Sequence, residues 1–165
     1  MWKTTPKSTK RKEFKMIKVL FVCLGNICRS PMAEFIFKDM VNKRGLADKF
    51  KIQSAATSRE AVGEGIYYGT RDVLKEQGIP FTEHISRQMT KEDYTYYDYI
   101  VAMDRFNLRN MARFIGDDPL GKVSLLMSYT DTPGDVADPW YTGDFETTWK
   151  DVNNGCKRLY EYIKD

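Results

Sequence analysis

A cysteine and an arginine stand five residues apart in the stretch CLGNICRSP, Cys23–Pro31. A thiol and a guanidinium at that spacing can close the two ends of one small loop, of a length suited to wrap a tetrahedral oxyanion. Gly25 and Asn26 between them are the residue types that best accept left-handed or otherwise unusual backbone angles. Such angles turn successive N–H groups inward as an anion nest, to which Leu24, Ile27 and Cys28 add their amides. Ser30 and Pro31 fit the N-cap and first position of a following helix, whose positive end would face the same cup.

The same surroundings activate a thiol. A free thiol titrates near ~8.5, and a helix N-terminus beside a guanidinium brings such groups to roughly 3.5–7.5. Cys23 then reads as a nucleophile facing a phosphoryl group whose oxygens Arg29 grips in a bidentate way. A lone cysteine at the end of a core strand is also an ordinary small buried residue. The conjunction with Gly25, Asn26, Arg29, Ser30 and Pro31 favours the nucleophile.

A second chemical element is the loop Thr130–Tyr141, TDTPGDVADPWY. Cleavage of a phosphate ester releases an alkoxide-like oxygen, so it benefits from a proton donor. Asp131, Asp135 and Asp138 are all available on this loop. Pro139 restricts the backbone at Asp138, and Trp140 and Tyr141 follow it.

The elements that must hold these groups alternate in type. Met16–Val22 is an apolar, β-branched run that reads as a strand ending at Cys23. Ala33, Ile36, Phe37, Met40 and Val41 form a helical stripe over Pro31–Arg44, stopped by Gly45. Phe50–Ala55, Tyr99–Met103 and Lys122–Met127 read as further strands. Thr70–Gln77, Arg105–Phe114 and Phe145–Ile163 read as helices. Tyr94, Tyr96, Tyr97 and Tyr99 read as a helix-to-strand junction with half-buried rings in preference to a docking surface. The order predicts an α/β domain: a four-stranded parallel sheet flanked by helices on both faces, with the phosphate loop after the first strand. In such sheets ligands sit at the carboxyl ends of the strands, where Cys23 lies.

CLGNICRSP resembles the phosphate-binding loop of the low-molecular-weight protein tyrosine phosphatases. SAATS at Ser54–Ser58, the run Gly78–Asp104, NLR at Asn107–Arg109 and DPWY at Asp138–Tyr141 resemble that family in the same order. The resemblance implies that Cys23 attacks phosphorus, that Arg29 clamps the phosphate, and that Asp138 is the general acid of the first step and the base of the second. Shielding by Trp140 would help Asp138 hold its proton. Trp140 and Tyr141 match positions whose rings wall the pocket. Asn26, Ser30, Ser54 and His84 match a shell that hydrogen-bonds together and holds the loop. His84 is thereby a supporting residue and not a catalytic base. Cys28 matches a neighbour that can trap the oxidised nucleophile as a reversible disulfide, while Cys156 reads as core. Ile27 stands where phosphoarginine-directed relatives carry threonine, which favours an aryl group. Arg59 and Glu60 replace an aromatic lip of eukaryotic members with a charged rim. The implied partners are a tyrosine-phosphorylated protein substrate and phosphate or vanadate as ligand, with no cofactor and no metal.

Composition bounds the remaining possibilities. With 165 residues, 42% of them hydrophobic, the chain can bury one full core. No apolar run approaches the ~18 residues of a membrane span, and Met1–Lys15 lacks the apolar centre of a signal peptide. Three cysteines and one histidine suit neither a disulfide scaffold nor a structural zinc site, so a reducing cytoplasm is the expected compartment. Six bases against Glu13 give residues 1–15 a net charge of +5, which reads as a basic, disordered N-terminal extension to a phosphatase domain at 16–165. The rest, at −2, is mildly acidic, and no nucleic-acid surface is expected. Two other functions use such a loop. A thioredoxin-coupled arsenate reductase needs a downstream cysteine pair, which the chain lacks, and a non-catalytic phosphopeptide-binding module has no use for both Cys23 and Asp138.

Overall fold

A computed structural model describes residues 15–164. Apart from Lys15, the basic extension expected at 1–15 lies outside the described residues. Four strands, β1 (Ile17–Cys23), β2 (Phe50–Ala56), β3 (Tyr99–Ala102) and β4 (Val123–Leu125), form one parallel sheet in the order β2-β1-β3-β4. The helices are α1 (Arg29–Lys43), α2 (Tyr68–Glu76), α3 (Lys91–Tyr96), α4 (Arg105–Ile115), α5 (Pro139–Thr142) and α6 (Phe145–Lys164). The expected fold class is the observed one. Among the described residues no helix is long and apolar enough to cross a membrane.

β1 is central, and its Val19–Val22 segment is completely buried, as a strand covered on both faces must be. Its side chains alternate between two cores. Val19, Phe21 and Cys23 join α1 and α6 on one face; Leu20 and Val22 join Tyr94, Tyr97, Ile100 and Met111 on the other. Phe37 of α1 meets Phe21 edge-on, ring centroids 5.7 Å apart. Full burial of such a ring contributes on the order of 2–3 kcal/mol. α6 presses its Gly155 against Leu126, leaving no room there for even a methyl group.

The chain leaves β1 for β2 on one side and later returns to place β3 on the other. That reversal opens a crevice at the carboxyl ends of the strands. Cys23 lies opposite Ala56 at the end of β2, and Val22 opposite Ala102 at the end of β3. The loops after β1, β2 and β3 therefore meet at one place.

Local readings needed three adjustments. α1 begins at Arg29, with Cys28 at its N-cap and no side-chain cap bond. Ser30 is thus inside the helix, and Pro31 follows in the first turn, where its missing N–H still costs nothing. The fourth strand stops at Leu125 because Leu126–Tyr129 tightens into a 3₁₀ turn. The tyrosine junction runs as expected from α3, which holds Tyr94 and Tyr96, into β3 at Tyr99, but its rings are not evenly half-buried: Tyr94 and Tyr97 are buried, whereas Tyr96 is 42% exposed.

Candidate active site

Within the loop between β1 and α1, only Asn26 takes a left-handed angle, φ +60°. Gly25, expected to share that role, keeps a conformation open to other residues, and an added Cβ would make ordinary contacts at 3.8 Å. Asn26 is fully buried and is fixed by its own side chain. Nδ2 donates to Ser30 Oγ at 2.8 Å and to Ser54 Oγ at 2.9 Å, and Oδ1 accepts from Arg87 N at 3.3 Å. His84 Nε2 donates to the Asn26 carbonyl at 3.0 Å.

These bonds order two hydroxyls around the loop. Ser54 Oγ, accepting from Asn26, donates to Glu34 Oε1 at 2.6 Å. Ser30 Oγ, accepting from the same amide, lies 3.0 Å from Cys23 Sγ and can donate its own proton to a thiolate there. Asn26 N adds a second donor to that sulfur at 3.3 Å. Two donors aimed at one sulfur suit it to carry negative charge.

Arg29 is anchored along one edge. Nη1 donates to Asp104 Oδ2 at 2.7 Å and to the Val136 carbonyl at 2.8 Å, while Nη2 lies 3.4 Å from Asp138 Oδ2. Burial works against its charge, but Cys23, Asp138 and Asp104 outweigh that penalty and raise its pKa further. The other edge, carrying Nε and Nη2, is held only by the longer 3.4 Å contact to Asp138 and is the one that can turn to an oxyanion. Asp138 caps α5 through Oδ1, which accepts from Trp140 N at 3.0 Å. Its side chain is 22% exposed.

Cys23, Arg29 and Asp138 line one cavity of about 220 Å³. Leu24, Gly25, Asn26, Ile27 and Cys28 also line it, as do Trp140 and Tyr141, which are 56% and 78% exposed at its mouth. Burial, then the nearby Cys23 and Asp138, push the Cys28 thiol up to about 12. Of the three aspartates on the acid loop, Asp138 alone enters the cavity: Asp135 pairs with Arg105 and Asp131 with Arg158. Ser30, Ser54 and His84 sit behind the loop rather than in the cavity.

Two residues of this arrangement escaped the sequence reading. Asp104 caps α4 at the end of β3 and holds Arg29; its D-x-x-N pattern with Asn107 is a capping signal, which says nothing of a partner 75 residues away. Glu34 occupies a buried position on α1 and lies 3.8 Å from His84 Nδ1. A glutamate off the apolar stripe carries no such signal. At the rim, Glu60 and Glu64 line the cavity but Arg59 does not.

The Low molecular weight phosphotyrosine protein phosphatase family profile matches residues 18–165. The chain is similar to the Low molecular weight protein-tyrosine-phosphatase YfkJ of Bacillus subtilis, with 40% identity over 151 residues, 90% of this chain and 97% of that one. The crystal structure of YfkJ superimposes with a TM-score of 0.88 at 40% identity, covering 91% of this chain and 96% of that one. The human Low molecular weight phosphotyrosine protein phosphatase is 39% identical over 148 residues, covering 87% of this chain and 93% of its own. A crystal structure of DARP, a Drosophila arginine phosphatase, matches with a TM-score of 0.80 at 34% identity, over 90% of this chain and 99% of that one.

Proposed function

The chain belongs to the low molecular weight phosphotyrosine protein phosphatase family, and from that premise we propose that it hydrolyses phosphotyrosine in proteins, and small aryl phosphates, through a phosphocysteine intermediate. The observation that carries this reading is the convergence of a sulfur with two donors aimed at it, an anchored guanidinium and a carboxyl group on one small cavity. The phosphatase domain takes residues 16–165, and 1–15 is a basic extension to it.

In the first displacement Cys23 Sγ attacks phosphorus, the S–P bond forms and the P–O bond to the phenol breaks. Asp138 gives its proton to the departing oxygen. The Nε and Nη2 edge of Arg29 and the amides of Leu24–Cys28 bind the equatorial oxygens, so their charge is met by donors already held in place. In the second displacement water attacks phosphorus, Asp138 takes its proton, and the S–P bond breaks to release phosphate and restore the sulfur. The positive charge this chemistry requires comes from Arg29 and backbone dipoles. Ser30, Asn26, Ser54 and His84 hold the loop in shape.

Leu24, Ile27, Trp140 and Tyr141 give the cavity apolar walls suited to a phenyl ring. Ile27 supports an aryl substrate over phosphoarginine, the substrate class in the name of the Drosophila neighbour. Arsenate reduction by disulfide relay finds no support: Cys156 is completely buried in the core, 3.7 Å from the Ala33 carbonyl.

Turnover of phosphotyrosine, phosphoserine and phosphoarginine peptides, with arsenate reduction assayed in parallel, tests this reading. Selective phosphotyrosine cleavage blocked by vanadate is expected. Phosphate binding without hydrolysis of any of them would make the loop a receptor.

A further inference from the structure

The charges of the cavity are layered. Its floor holds Arg29 and the loop Leu24–Cys28, whereas its mouth holds the carboxylates of Glu60 and Glu64, from the loop after β2. Both glutamates are exposed, and neither takes part in an ion pair among the described residues. The one cation beside them in sequence, Arg59, does not line the cavity. A second cavity of about 470 Å³ adjoins the first through Leu24, Arg29, Asp138 and Tyr141. The groove therefore has room for more of a substrate than the phosphorylated residue.

A phosphotyrosine that reaches Cys23 brings its neighbours along the chain to this acidic mouth. We propose that Glu60 and Glu64 make the enzyme prefer phosphotyrosine sites flanked by lysine or arginine and disfavour sites flanked by acidic residues. The inference rests on the phosphotyrosine reading above and narrows it. Exposed charge pairs are individually weak, but exchanging lysine for glutamate turns attraction into repulsion at both carboxylates. The effect falls mainly on capture of the substrate and is screened by salt.

The test uses the full chain and two phosphotyrosine peptides that differ only in carrying lysines or glutamates on both sides of the phosphotyrosine, with p-nitrophenyl phosphate as a substrate that has no flanks. At low ionic strength kcat/KM is expected to be about five- to tenfold higher for the lysine peptide. That ratio should fall toward unity near ~1 M salt, where the Debye length is ~3 Å, and also in the double variant Glu60→Gln/Glu64→Gln. Equal kcat/KM for the two peptides, or a ratio the double variant leaves unchanged, would overturn the proposal while leaving the phosphatase reading intact. Failure to hydrolyse p-nitrophenyl phosphate would instead remove that reading, and this proposal with it.

Discussion

The hydroxyl of Ser30 lies 3.0 Å from the sulfur of Cys23 while accepting from the side-chain amide of Asn26, so its own proton is available to a thiolate at that position. A residue within the first turn of α1 thus serves the residue that ends β1. Serine is a modest helix former, so the position makes sense through this bond rather than through propensity.

Ser30→Ala removes one of two donors to the sulfur and leaves the fold of α1 unchanged. A hydrogen bond to a charged group contributes about 1.5–3 kcal/mol, so kcat should fall roughly 10- to 100-fold. Vanadate affinity should change much less, because Arg29 and the loop amides remain. Steady-state kinetics beside vanadate titration checks both.

Asp138→Ala should discriminate between leaving groups. General acid catalysis is typically worth ~10²–10⁴ in rate, and an acidic phenol hardly needs it. The loss should approach that range for phenyl phosphate and be far smaller for p-nitrophenyl phosphate. Equal losses on a series of substituted phenyl phosphates would take Asp138 out of the acid role.

The Cys28 thiol, pushed up to about 12 by burial and by its neighbours Cys23 and Asp138, ties stability to alkaline pH. A raised pKa means that the folded chain holds this proton more tightly than the unfolded one. The resulting stability is fully present below the ordinary value of 9.0 and is lost as pH rises from there through about 12. The urea midpoint should therefore fall less between neutral and alkaline pH in Cys28→Ser than in the wild type, since serine has no such proton to lose.

Gly155→Ala opposes two rules. Alanine in the interior of α6 is favoured over glycine by ~1 kcal/mol, but its Cβ would lie 2.5 Å from Leu126 Cγ, on a side chain that is fully buried and has nowhere to go. Overpacking costs about 1–3 kcal/mol, so net destabilisation is expected by denaturant unfolding. Adding Leu126→Val should recover part of the loss.

Local chemistry made most of this site readable from sequence. The apolar run of β1, the glycine and asparagine of the loop and the stripe of α1 all lie within thirty residues, from Ile17 to Lys43, and each is a short-range pattern. Asp138 emerged from its proline and aromatic neighbours, and the structure makes it the cap of α5. What escaped depends on the packing of separate elements. Asp104 meets Arg29 only because β3 pairs with β1 in the register that sets Val22 beside Ala102. Glu34 meets Ser54 only because α1 crosses over β2. Ser30 read as a cap because serine before proline usually is one, yet here its hydroxyl turns to sulfur and Cys28 takes the cap position.

Direct capture of the intermediate tests the central claim. Acid quench during turnover of a phosphotyrosine peptide, followed by mass analysis of the fragments, should find the phosphoryl group on the fragment containing Cys23, and Cys23→Ser should show neither phosphoryl capture nor turnover while still binding vanadate. Sustained turnover by Cys23→Ser, or a phosphoryl group on any other residue, would contradict the account.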